Sequence, residues 1–119
     1  MLPRASRLRD SRTFTATVRN GRRARSGRLV VYLHDPAPDD RAAGASARVG
    51  LIVNKQVGNS VRRHRVSRIL RHAATTVLPD LPRGAVLVVR ALPGAYERSG
   101  ALPESLRAAV RALPDRSRA

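Results

Sequence analysis

Between Arg41 and Pro79 the chain carries no acidic residue, and inside that stretch residues 60–78 repeat apolar side chains at helical spacing. Val66, Ile69, Leu70, Ala73 and Val77 fall at i, i+3, i+4, i+7 and i+11, one stripe of an α-helix roughly 28 Å long. Proline at 79 ends it. Such a helix needs a partner, because an uncovered stripe gives it little stability in water. Turning the stripe inward turns Arg65, Arg68, Arg71, His64 and His72 outward in one ridge. Like charges at i, i+3 and i+4 repel by a few tenths of a kcal/mol per pair, and the helix holds no acid to compensate. Solvated helix faces ordinarily mix signs, so a ridge of one sign points to phosphates. The whole chain repeats the imbalance: 24 Lys plus Arg stand against 8 Asp plus Glu, a formal +16 in 119 residues. Self-repulsion of that size is relieved by a polyanion, nucleic acid before anionic membrane.

The remaining chain supplies candidate partners for the helix in a single domain. Residues 1–9 hold Arg4, Arg7 and Arg9 without periodicity and read as a basic arm. A short helix follows, capped by Asp10 or Ser11, with Phe14 and Val18 on one face and Asn20-Gly21 as a left-handed stop. Residues 28–34, RLVVYLH, and 47–53, ARVGLIV, predict an antiparallel hairpin with a flexible loop over 35–46, in which Asp35, Asp39 and Asp40 stand away from the basic elements. Residues 84–91, GAVLVVRA, suit a strand covered on at least one face. Pro103 at a first helical turn, then Leu106, Ala109, Val110 and Leu113, predict a last amphipathic helix, with a disordered tail over 115–119. The order helix, strands, long helix, strand, helix is an α+β sandwich with one sheet.

The absence of cysteine excludes disulfides, thiolate zinc sites and cysteine nucleophiles. The N-terminus lacks a signal-like apolar stretch, and the longest apolar runs, 29–33 and 85–89, are far short of the roughly 20 residues that span a bilayer. A soluble cytoplasmic protein without a membrane partner is expected. No Ser-His-Asp set, paired carboxylates or phosphate-binding glycine loop is visible, so the chain is not expected to break bonds alone or to bind a small-molecule cofactor. His64 and His72 lack a third ligand, which argues against a metal site. Lys55 is the only lysine beside 23 arginines, a compact ammonium directly before the turn into the basic helix. Gly58-Asn59-Ser60 reads as a turn and N-cap, and its free amides, with Arg62 and Arg63, also suit an anion. Phe14 and Tyr32, two of three aromatics, are either core or a groove edge that stacks unpaired bases.

The run Lys55-Gln56-Val57-Gly58-Asn59-Ser60-Val61-Arg62-Arg63-His64-Arg65-Val66-Ser67-Arg68-Ile69-Leu70-Arg71 resembles the signature of the bacterial ribonuclease P protein family. That signature is a lysine, then Gly-Asn-Ala-Val, Arg-Asn-Arg, Lys-Arg and a further Arg. Arg7-Leu8, Phe14, Gly21, Val31-Tyr32, Val49-Gly50-Leu51 and Val86 to Arg90 extend the similarity over nearly the whole chain. The resemblance implies a ribosomal-protein-like α+β fold of αβββαβα type, with about four strands in one sheet. It also implies a left-handed βαβ crossover around the basic helix, against the usual right-handed rule. It further implies a non-catalytic subunit of an endonuclease whose RNA subunit removes the 5′ leader of precursor tRNA with Mg²⁺. Lys55, Asn59, Arg63, Arg65, Arg68 and Arg71 fall on motif positions of RNA contact, with Arg62 and His64 beside them. Phe14 and Tyr32, with Arg12, fall on the cleft that holds the leader. The sequence departs from the pattern at His64 for asparagine, Ser67 for lysine, and Val18 for a second cleft aromatic. A structural ribosomal-RNA-binding protein is the alternative reading.

Overall fold

The computed structural model describes residues 2, 6–35 and 46–114. Most of the loop expected over 35–46, and the tail over 115–119, lie outside the described residues. The elements are α1 (Ser11–Asn20), β1 (Arg22–Ser26), β2 (Leu29–His34), β3 (Arg48–Ile52), α2 (Ser60–Val77), β4 (Val86–Ala91) and α3 (Leu102–Ala112). This is the αβββαβα order of an α+β sandwich, with a single four-stranded sheet ordered β1-β2-β4-β3.

The expected hairpin between residues 28–34 and 47–53 does not form. β2 instead pairs antiparallel with β1, in register Arg23↔Tyr32 and Ser26↔Leu29, and the two-residue turn opens on Gly27 at φ 55°. β4 enters between β2 and β3, antiparallel to the first and parallel to the second. The physical reason is burial. β4, VLVVRA, buries five of its six residues, so it belongs at the centre of the sheet, where both faces are covered. A parallel β3/β4 pair needs a long crossover, and α2 supplies it. β1, RRARS, alternates half-buried and exposed residues, as suits an edge strand.

Side chains alternate across the sheet and build two clusters. On one face Leu29, Val31, Leu33, Val49, Leu87 and Val89 pack against Val66, Leu70, Ala73 and Val77 of α2 and Leu102, Leu106 and Ala109 of α3. On the other face Tyr32, Val86 and Val88 pack with Leu8, bordered by Phe14, Val18, Val30 and Ile52. The N-terminal segment is held in part against the sheet: the Leu8 amide donates to the Val49 carbonyl at 2.8 Å, and Leu8 is buried. Asp35 is not set apart from the basic elements, because its carboxylate accepts from Arg22 at 2.7 Å. The same guanidinium donates to the Pro114 carbonyl, which ties both strands of the hairpin to the end of α3.

Gly21 does not adopt the left-handed stop, since its φ is −72°. Glycine is required there by close approach: a Cβ would lie 2.5 Å from the Thr17 carbonyl oxygen and 2.9 Å from that of Leu33. Asp10, not Ser11, caps α1, accepting from the Arg12 amide at 3.0 Å and the Thr13 hydroxyl at 2.9 Å.

Candidate nucleic-acid interface

α2 starts from a turn that the sequence builds with two asparagines. Asn54 Oδ1 accepts from the Gln56 amide at 3.1 Å, the Gly58 amide donates to the Lys55 carbonyl at 3.2 Å, and Val57 is buried beneath. Asn59 caps the helix, its Oδ1 accepting from the Arg62 amide at 2.9 Å. That bond occupies the side-chain oxygen and leaves the amide NH₂ of the exposed Asn59 as a donor. Lys55 is exposed on the same turn.

With Val66, Leu70, Ala73, Ala74 and Val77 buried, His64, Arg65, Arg68, Arg71 and His72 all lie exposed along the opposite side. Val61, at 75% exposure, stands among them. Arg62 and Arg63 do not join this ridge. At about 100° per residue they fall roughly 40° and 60° to either side of Val66, on the core-facing half of the helix. Arg63 is half-buried, with its Nε sequestered and unpartnered among the described residues. Arg62 stays exposed, its side chain at 50%, and lies over the Tyr96 ring, 4.9 Å from its centroid, with Nη1 4.0 Å from the Glu97 carboxylate. Neither Tyr96 nor Glu97 was legible as part of the site, since both lie in a loop without periodicity.

On the opposite face of the sheet α1 leaves residues of the strands half-buried, a surface we call the groove. α1 lies across β2 and β4, and the Phe14 ring rests on β3 so closely that a Cβ on Gly50 would be 2.3 Å from Cζ. Register places Arg23, Tyr32, Val88 and Gly50 in one row and Arg25, Val30, Arg90 and Ile52 in the next, all on this face. Val30, Arg90 and Ile52 are half-buried, and Arg23 and Arg25 are exposed. Tyr32 takes the core alternative at 6% exposure, whereas Phe14 is half-buried at the groove wall. Arg12 is not brought together with them. Two residues before Phe14 it points about 200° away, on the solvent side of α1 near Arg19. The period of two in RRARS and in VLVVRA was the available signal for Arg23, Arg25 and Arg90; the register that groups them was not.

Among the described residues no three His, Asp or Glu side chains gather as a metal site, and no helix is long and apolar enough to cross a membrane. The Thr13 hydroxyl and the Arg12 amide, both donating to Asp10, hold its carboxyl below the ordinary value.

The Ribonuclease P family model matches residues 2–114. The chain belongs to the ribonuclease P protein family. It is 46% identical over 116 residues to the ribonuclease P protein component of Mycobacterium avium (strain 104), covering 96% of each chain. It is 46% identical over 117 residues to that of Streptomyces bikiniensis, covering 95% of each. A Staphylococcus aureus RNase P protein mutant with defective mRNA degradation activity shares the fold at TM-score 0.76 and 20% identity, covering 90% of this chain and 86% of that one. The RNase P protein from Thermotoga maritima does so at TM-score 0.72 and 21% identity, covering 92% of this chain and 98% of that one. The chain is therefore a non-catalytic protein subunit of ribonuclease P, a tRNA-processing endonuclease, and the ribonuclease P RNA subunit is its partner. These matches do not favour the ribosomal-RNA alternative.

Proposed function

We propose that this ribonuclease P protein binds its RNA subunit through the α2 ridge and the 5′ leader of precursor tRNA through the groove beside α1. The single observation that carries the reading is the line of exposed Arg65, Arg68 and Arg71 on a helix without an acid. Each guanidinium that meets a backbone phosphate releases condensed counterions, so the ridge adds affinity without reading sequence. Lys55 and the Asn59 NH₂ extend the donor surface by one turn, and His64 and His72 add imidazole donors. Arg63 is the flank of this surface rather than its crest.

In the groove, a single strand would run over Val30 and Ile52, with Phe14 at the wall offering a ring edge and Arg25 and Arg90 facing the backbone phosphates. Tyr32, buried in the same cluster that Phe14 borders, belongs to the floor. In this reading Mg²⁺ would be held by the RNA and would supply the activated water of the hydrolysis. Of the described acids, Asp10 caps α1, Asp35 pairs with Arg22 and Glu97 faces Arg62. The protein's part is to bind, orient and neutralise, in the cytoplasm alongside its RNA.

The test is cleavage of precursor tRNA by the cognate RNA subunit at low Mg²⁺, with the parent chain or with an Arg65→Ala, Arg68→Ala, Arg71→Ala variant. The parent should restore cleavage and the triple variant should not. Equal activity of the two would overturn the reading.

A further inference from the structure

We infer that Arg62 is a positioning residue, which locks the Lys55–Asn59 turn to the loop before α3 and so presents Lys55 and Asn59 at a fixed place beside the ridge. The inference rests on the RNA-binding reading above and names the internal anchor of that surface.

Four observations converge on Arg62. It lies about 40° from Val66 around α2, whereas Arg65, Arg68 and Arg71 lie roughly 100° to 160° away from Val66. Its guanidinium carbon is 4.9 Å from the Tyr96 ring centroid, inside the range of a cation–π contact. Its Nη1 is 4.0 Å from Glu97 Oε1. Its stem runs so close along Gly58 that a Cβ there would meet Arg62 Cδ at 2.8 Å and Cβ at 2.9 Å.

The segment that receives Arg62 is itself fixed. The Leu92 amide donates to Arg28 at 2.9 Å, that of Ala95 to Leu92 at 3.0 Å, and that of Ser99 to Tyr96 at 3.2 Å. Ala95 is fully buried, which seats the turn that carries Tyr96. Arg62 therefore bridges a rigid post to the helix start, with its own amide held by Asn59. A planar cation suits this task, because it stacks on a ring while its stem packs on Gly58, and a lysine ammonium has no face to stack. Presenting Lys55 and Asn59 already ordered removes part of the ordering cost that binding would otherwise carry.

The test uses the full-length chain and its cognate RNA subunit, with affinity measured across a salt series. Arg62→Ala and Tyr96→Ala should each weaken binding about two- to fivefold, the size expected for one exposed cation–π contact. Neither should change the slope of log affinity against log salt. Tyr96→Phe should bind as the parent does, because the ring is kept. Arg62→Lys should recover less than half of the loss despite its retained charge, and adding Tyr96→Ala to Arg62→Ala should cause no further loss. A slope flattened by about one unit in Arg62→Ala would make it a phosphate contact and overturn the inference, as would parent-like binding by Tyr96→Ala. Arg68→Ala in the same series separates the two claims. If it leaves the slope unchanged, the ridge reading fails and takes this inference with it.

Discussion

Replacing Gly50 by alanine tests the groove wall and the packing behind it with one methyl group. The added Cβ would sit 2.3 Å from Phe14 Cζ, 2.6 Å from Cε1 and 3.0 Å from Leu8 Cδ2. Carbon atoms rest about 3.5 Å apart or more, so the tip of the ring must retreat by roughly 1.2 Å. Little else can yield. Gly50 is paired with Val88 on one side, and next to it Val49 accepts from Leu8 on the other. α1 is held by the Asp10 cap at its start and by the tight Gly21 contact at its end. Overpacking of this kind costs about 1–3 kcal/mol, and at this chain length each kcal/mol lowers Tm by about 4 °C. Phe14→Leu deletes the Cζ and Cε1 atoms that clash, so it should relieve the strain it meets. In urea unfolding at constant ionic strength, the double variant should be more stable than the sum of the two single losses by about 0.5–3 kcal/mol, with unchanged m. Additive losses, or a Gly50→Ala variant as stable as the parent, would show that the ring does not rest on β3.

Arg68→Ala should flatten the salt slope of RNA binding by about one unit and change stability by less than about 0.5 kcal/mol, whereas Leu70→Ala, its buried neighbour on α2, should cost about 2–5 kcal/mol in denaturant unfolding. Phe14→Leu should weaken binding of leader-bearing precursor more than that of mature tRNA in a competition assay; equal losses would assign the ring to the core alone. Asp10 has a folded pKa below its unfolded one. Its contribution is thus present above the unfolded pKa, about 4, and lost as pH falls through the lower folded value. Between pH 5 and pH 2, thermal melts of Asp10→Asn should show a shallower acid decline than those of the parent.

What could be seen in the sequence divides by whether its cause is local. α2 was legible because period and charge asymmetry are properties of the helix itself, and the placement of Arg62 and Arg63 off the ridge follows from the same 100° geometry. That geometry also separates Arg12 from Phe14. β1 was not legible: RRARS has one apolar residue, Ala24, and becomes a strand only by pairing with β2 and receiving α3 on one face. The groove has a cause that no local pattern records. The chain reaches α1 from Leu8, bonded to β3 at one edge of the sheet, and leaves it into β1 at the other edge, so α1 lies over the two strands between them, β2 and β4. Ten residues of helix supply about 15 Å, close to the about 14 Å that four strands span between the outer axes. A helix about 10 Å wide lying across six-residue strands of roughly 20 Å covers half of their length. On this face Tyr32 and Val88 are buried, whereas Val30, Arg90 and Ile52 are half-buried and Arg25 is exposed. An open, cation-flanked apolar groove is thus the geometric remainder of a short helix forced across a sheet from edge to edge. Lengthening α1 by one turn would slacken that crossing and loosen Phe14 from Gly50 before it disturbed the ridge on the far face.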